Sequence, residues 1–204
     1  MPPPEAFAAF AVASLALLVV PGPSVLYIVT RSVQGRAAGL VSVLGIHTGS
    51  TVHVLAAALG VSAILASSAL AFGVVKYAGA AYLIWLGIRA LRRREVAVTE
   101  PGARPRSLRQ IYAQGVVVNV LNPKTALFFL AFLPQFVDPS RGSVTLQVVV
   151  LGLTFIALGL LSDGTYALAS ARVSRRLAGR AGFAGPGRWI PGVTLIALGV
   201  LAAL

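Results

Sequence analysis

Residues 6–30 carry no charged side chain, yet the middle of that run reads VVPGPSVLYI (residues 19–28), with Pro21, Gly22 and Pro23 in succession. About 20 apolar residues cross the hydrocarbon core of a bilayer as a helix. Proline lacks an amide hydrogen and clashes with the carbonyl four residues back, so Pro-Gly-Pro breaks that helix. Lipid cannot repair the break, because carbonyls freed within the membrane need protein, water or a ligand to satisfy them. The interruption is therefore expected to be unwound and to face the interior of a helix bundle.

Other runs repeat the pattern. Of 204 residues, 57% are hydrophobic and 11% charged, which is the balance of an integral membrane protein. A soluble helical domain would need charges every few residues to cover its outside. The apolar runs predict an all-α protein with six transmembrane helices, at about 6–30, 40–66, 70–88, 112–136, 143–171 and 189–204. No Lys or Arg precedes Arg31, so the first run lacks the positive region of a secretory signal peptide and is expected to be a retained span. The chain has no cysteine, which excludes disulfides, thiolate metal sites and dithiol redox chemistry. No cofactor or metal is expected.

Seventeen basic residues against five acidic ones give a formal charge of +12. On a soluble chain this would suggest nucleic acid. Here fourteen of the seventeen lie in three loops: Arg31 and Arg36; Arg89 through Arg109; Arg172 through Arg188. No nucleic-acid partner is expected. The positive-inside rule makes those loops cytoplasmic and puts both termini outside, with some attraction to anionic lipid. The only long polar stretch, RRREVAVTEPGARPRSLR (92–109), divides the chain into a first half (1–91), a basic cytoplasmic loop (92–110) and a second half (111–204).

The halves resemble each other. At a constant offset of 112, Lys76 matches Arg188, Tyr77 matches Trp189, and Leu86-Gly87 match Leu198-Gly199. Spans one and four each hold an internal proline motif, at Pro21-Gly22-Pro23 and at Asn122-Pro123-Lys124. Three spans per half would insert the second upside down relative to the first, a 3+3 inverted-topology repeat of the kind secondary transporters use. Breaks at matching positions point to a substrate site.

Lys124 is the only charge in residues 111–137. A lysine at that depth costs about 2.5–3.5 kcal/mol, and capture of a substrate carboxylate would justify it. Asp163 is the only carboxylate deep in any span, on a helix side with Gly152, Gly159, Tyr166 and Ser170. It reads as a proton carrier or a contact for a substrate ammonium group. At a rise of about 1.5 Å per residue, Lys124 and Asp163 lie roughly 22 Å and roughly 13 Å from the cytoplasmic ends, which disfavours a direct pair between straight helices. Span two lines up Ser42, Gly45, Gly49, His53, Ala56 and Gly60, a face for close helix packing. His47 and His53, six apart, point about 240° from each other and make no metal pair. Each reads as a hydrogen-bonded structural histidine rather than a proton relay.

PGPSVLYIVTRS, GIHTGSTVHVLAAALG, KYAGAAYLIWLGIRALR and NPKTALFFLAFLPQF together resemble the LysE/RhtB amino-acid exporters over nearly the whole chain. The resemblance implies a six-span inner-membrane protein acting as a homo-oligomer, not an enzyme. It further implies efflux of amino acids or related metabolites driven by the proton gradient. It marks Pro21, Gly22, Pro23, Gly45, Gly49, Asn122, Pro123 and Lys124 as motif positions. Many members carry an aspartate directly after the second glycine of span two; here that residue is Ser50. The burden of proton coupling then passes to Asp163. The expected function is export of amino acids by proton antiport with alternating access. Pro21, Gly22, Pro23, Gly49, Asn122, Pro123 and Lys124 would form the substrate site. The alternative is export of a metal cation or other small ion.

Overall fold

The computed structural model describes residues 1–67, five single positions between 77 and 88, and 107–176. All secondary structure among them is helical. The third and sixth expected spans, residues 92–106 of the basic loop with the divide into halves that it marks, and the Lys76/Arg188 repeat match lie outside the described residues, apart from those single positions.

Helix α1 (Pro4–Val19) stops where the sequence puts Pro21. Helix α2 (Pro23–Ser32) restarts with Gly22 at the N-cap and Pro23 as its first residue, where a missing amide hydrogen costs nothing. The two axes differ by 55°. Gly35, at φ 129°, closes α2 with the left-handed geometry that favours glycine. Helix α3 (Arg36–Ser67) then runs 32 residues without a break, about 48 Å at 1.5 Å per residue.

Helix α4 (Leu108–Val120) opens with a capping box between Ser107 and Gln110. It ends at Leu121-Asn122, and α5 (Pro123–Leu127) begins at Pro123. A π-helical turn (Phe128–Phe132) and a 3-10 turn (Leu133–Phe136) continue α5, and this combined segment bends 47° from α4. Helix α6 (Val144–Arg176) is the second long unbroken helix. Four of the six expected spans are thus present among the described residues: two straight (α3, α6) and two broken (α1–α2, α4–α5).

Polarity is inverted relative to a water-soluble protein. Leu59 and Leu121 are each 74% exposed, whereas Asn119, Asn122, Gln147 and Asp163 are buried. An apolar outside around a polar inside is what lipid as solvent demands. Tyr27 Oη reaches the Ile111 carbonyl, and Gly39 abuts Ser32 and Ala167, so Arg31, Arg36, Arg109 and Arg172 gather at one end of the bundle. The Met1 amino group donates to the Arg141 carbonyl at the other end.

Helix α3 is the hub, packing along both α4 and α6. Its small-residue face meets α4 at backbone range. A Cβ on Gly45 would strike the Tyr112 carbonyl and Gly115 Cα, and one on Gly49 would lie 2.8 Å from the Val116 carbonyl and Asn119 Cβ. Toward α6 the notches are on the other partner. Val54 and His47, seven residues apart on α3, fill the spaces left by Gly152 and Gly159, seven apart on the antiparallel α6. One apolar cluster fills the Met1 end, built on Phe10, Phe128, Phe129, Phe132 and Phe155 with ring centroids 5.0–5.9 Å apart. A smaller cluster of Ile28, Val43, Ile46 and Ala167 lies toward the arginine end.

Gly45→Ala is expected to lower the thermal unfolding temperature of the detergent-solubilised protein, at a cost of about 1–3 kcal/mol, because the backbone it strikes cannot move aside. Gly60→Ala, with nothing within 4 Å of the added carbon among the described residues, is expected not to lower it. Equal effects at the two glycines would refute the backbone-contact account of the α3–α4 interface.

Candidate functional site

In a continuous helix each amide hydrogen bonds the carbonyl four residues back. Pro21, Pro23 and Pro123 therefore deprive Leu17, Val19 and Asn119 of their partners. The structure supplies a side chain for each. Lys124 Nζ donates to the Leu17 carbonyl at 2.6 Å, and to Val20, freed by the same break, at 2.8 Å. Tyr166 Oη donates to Val19 at 2.7 Å. His53 Nε2 lies 2.9 Å from the Asn119 carbonyl, which the Asn122 amide also reaches at 3.0 Å. The replacements come from α5, α6 and α3, so repair of the breaks fastens the spans to each other.

Between the breaks lies a cavity of about 30 Å³, lined among others by Gly22, Ser24, His47, Asn119, Lys124 and Asp163. A polar network runs along it. Ser24 Oγ donates to Asn119 Oδ1 at 3.0 Å, Asn122 Nδ2 to Ser24 Oγ at 2.8 Å, and Asn119 Nδ2 to Ser50 Oγ at 2.9 Å. Thr125 Oγ1 also donates to Asn119 Oδ1, at 3.2 Å, and Asn122 Oδ1 caps α5 by accepting from the Lys124 amide at 3.1 Å. The volume holds a water or two, at about 10–15 Å³ each. It is far below the roughly 300–1,000 Å³ of a ligand pocket. In this conformation the cavity is too small for an amino acid.

Asp163 does not pair with Lys124; no salt bridge within 4.0 Å joins them among the described residues. Its partner is His47, with Nε2 3.0 Å from Oδ2 and both side chains buried. Gly159 makes that pair possible, since any side chain there would occupy the space of the imidazole. Among the described residues, His47 Nδ1 and Asp163 Oδ1 have no hydrogen-bond partner.

The structure gathers Gly22, Asn122, Lys124 and Asp163 around one cavity. The prolines act through the backbone: Pro21, Pro23 and Pro123 are exposed on the outside of the bundle and do not line the cavity. Gly49 also lies off the cavity, pressed against α4. Straight-helix depth counting placed Lys124 and Asp163 at different levels; the bends bring both to the same space. Sequence reasoning missed Asn119, Ser24 and Thr125. The signal for Asn119 was a second asparagine one turn before Asn122 in an otherwise apolar run. Ser50 joins the network as a neutral hydroxyl.

The LysE type translocator family matches residues 15–204 of this chain. Over 172 residues the chain is 31% identical to a homoserine/homoserine lactone efflux protein of Salmonella typhimurium, covering 84% of this chain and 83% of that one. It is 29% identical over 175 residues to a leucine efflux protein of Enterobacter sp. strain 638, covering 84% and 82%. An uncharacterized membrane protein of Vibrio cholerae is 33% identical over 141 residues, covering 69% and 68%. No solved structure matches.

Tyr166→Phe removes only the hydroxyl and leaves the Val19 carbonyl unpaired in lipid. Stability is expected to fall by about 1–3 kcal/mol, read as a lower midpoint of denaturant unfolding in micelles. An unshifted midpoint would mean that the Val19 carbonyl is satisfied some other way.

Proposed function

This chain belongs to the LysE type translocator family, and from that premise we propose that it exports amino acids across the cytoplasmic membrane by proton antiport. The observation that carries this reading is the placing of Lys124 and Asp163, opposite in charge, on one cavity between two broken helices. Such a pair complements a zwitterion. Asp163 Oδ1, unpartnered, is free to accept from the substrate ammonium. Lys124 has three donors, of which two are held by the Leu17 and Val20 carbonyls, so the third remains for a substrate carboxylate.

The relatives' names refine the roles. Homoserine, its lactone and leucine all carry an amino group, while the lactone has no free carboxylate. The ammonium contact at Asp163 is therefore the shared requirement in our reading, and Lys124 adds affinity where a carboxylate is present. These names also make a metal cation the less favoured cargo.

Alternating access follows from the breaks. The cavity is too small for an amino acid, so the bundle must open to load and again to release. The phenylalanine cluster closes the Met1 end and the Ile28–Ala167 cluster closes the arginine end. The arginine end is cytoplasmic in this reading, with the termini outside. The 3+3 inverted repeat would let the same rocking motion open either end in turn. Coupling requires that proton uptake at the Asp163 site and substrate binding there exclude each other, since a ligand shifts an equilibrium only by its differential affinity. A homo-oligomer in the lipid of the inner membrane completes the picture that the family suggests.

Proteoliposomes loaded with labelled leucine or homoserine and placed in acidic medium test this. The wild-type protein is expected to expel label against its gradient. Asp163→Asn is expected to abolish uphill movement, and Lys124→Ala to weaken apparent affinity for the amino acid more than for homoserine lactone. Uphill export by Asp163→Asn at the normal rate would remove Asp163 from coupling.

A further inference from the structure

The antiport reading leaves open which atom takes the proton. The buried pair narrows the choice. An ionised Asp163 can only accept, so with Oδ2 3.0 Å from His47 Nε2 the neutral ring carries its hydrogen on Nε2 and Nδ1 is left a bare acceptor. Nδ1 is buried and has no partner among the described residues. An unsatisfied acceptor in a native interior calls for an explanation. The hydrogen bond to Asp163 does not supply it, because that bond is made through the other nitrogen.

We propose that His47 Nδ1 is the proton-carrying atom of the exporter, and that Asp163 stays ionised throughout, shared between the His47 imidazolium and the substrate ammonium. The proposal rests on the antiport reading and specifies its chemistry. Among the described residues, the charged or titratable side chains on the cavity beside His47 are Asp163 from α6 and Lys124 from α5; α1, α2 and α4 contribute Leu17, Leu18, Gly22, Ser24, Val25 and Asn119, none of which titrates. Tyr166, one turn beyond Asp163, is engaged with Val19.

With His47 neutral, the cavity holds one positive and one negative group, with Asp163 Oδ1 open to an ammonium. When Nδ1 gains a proton the ring becomes an imidazolium still bonded through Nε2 to Asp163. The pair is then neutral, the cavity is left with the uncompensated charge of Lys124, and an ammonium is repelled. Proton and substrate thus compete for one carboxylate without the proton ever resting on it. Loading from the cytoplasm releases the Nδ1 proton inward, and a proton arriving from outside displaces the substrate. Gly159 is part of the device, since only a residue without a side chain leaves room for the ring.

The test uses His47→Gln, whose amide nitrogen can still donate to Asp163 but which takes up no proton. In proteoliposomes, exchange of labelled for unlabelled amino acid should persist, slowed, and lose its pH dependence, while uphill export driven by an acid exterior should be lost. Uphill export by His47→Gln with the wild-type pH profile overturns the proposal, as does loss of exchange together with export in a folded variant. Wild-type vesicles that move no amino acid at all would instead sink the antiport reading. Nitrogen-15 spectra of ring-labelled wild-type protein decide the proton's position independently: Nδ1 should carry a proton under the acid conditions that drive export, and an Nδ1 that stays bare there overturns the proposal whatever the vesicles do.

Discussion

The carbonyls of Leu17, Val19 and Asn119 govern this fold. Three prolines strip them of their helical partners inside a solvent that offers no hydrogen bonds, and each unpaired group would cost several kcal/mol. The chain answers with Lys124, Tyr166 and His53, drawn from three other segments. The breaks thereby become fastenings. A lysine buried in hydrocarbon, expensive by itself, is tolerated because the same break that creates the need for a donor places two carbonyls within 2.8 Å of its ammonium.

From that constraint the site follows. Two bends of 55° and 47° open a space between spans one and four that straight helices would have filled. Polar side chains collect there because only there can they find one another. Asn119 alone ties Ser24, Ser50 and Thr125 together. Helix α3 reaches the space from its own side because Gly45 and Gly49 let it lie against the backbone of α4, and because Gly159 gives His47 room against α6. The lubricating surfaces of small residues and the polar cavity are thus two consequences of one packing arrangement, and a rearrangement of either break must be felt at the cavity.

Much of this was legible in the residues. Lone charges in apolar runs identified Lys124 and Asp163, the prolines located both breaks, and the spacing of Gly152, Gly159 and Asp163 gave the side of α6 that faces inward. Pairings were not legible, because they depend on bend angles that sequence does not state. Measuring depth along straight helices separated Lys124 from Asp163, whereas the bends converge them on one cavity. The same assumption hid the partner of His47, which reads in the sequence as a hydrogen-bonded structural histidine and is found against Asp163 once Gly159 is seen to be its socket. Gly49 was assigned to the substrate because of its motif; its position against Val116 and Asn119 shows that a motif glycine also serves backbone contact. Local chemistry names the groups that must be satisfied, and only the tertiary geometry names who satisfies them.

The central claim is that the cavity between the two breaks is the place where cargo sits and that it opens to each side in turn. The chain has no native cysteine, so a single Ser24→Cys change gives a background-free reporter at the cavity wall. In vesicles, a membrane-impermeant thiol reagent should label that cysteine when applied from either face, and leucine or homoserine should slow labelling from both. A cysteine that stays unreactive from both faces while the variant still transports would contradict the account, for the cargo would then be passing by another route.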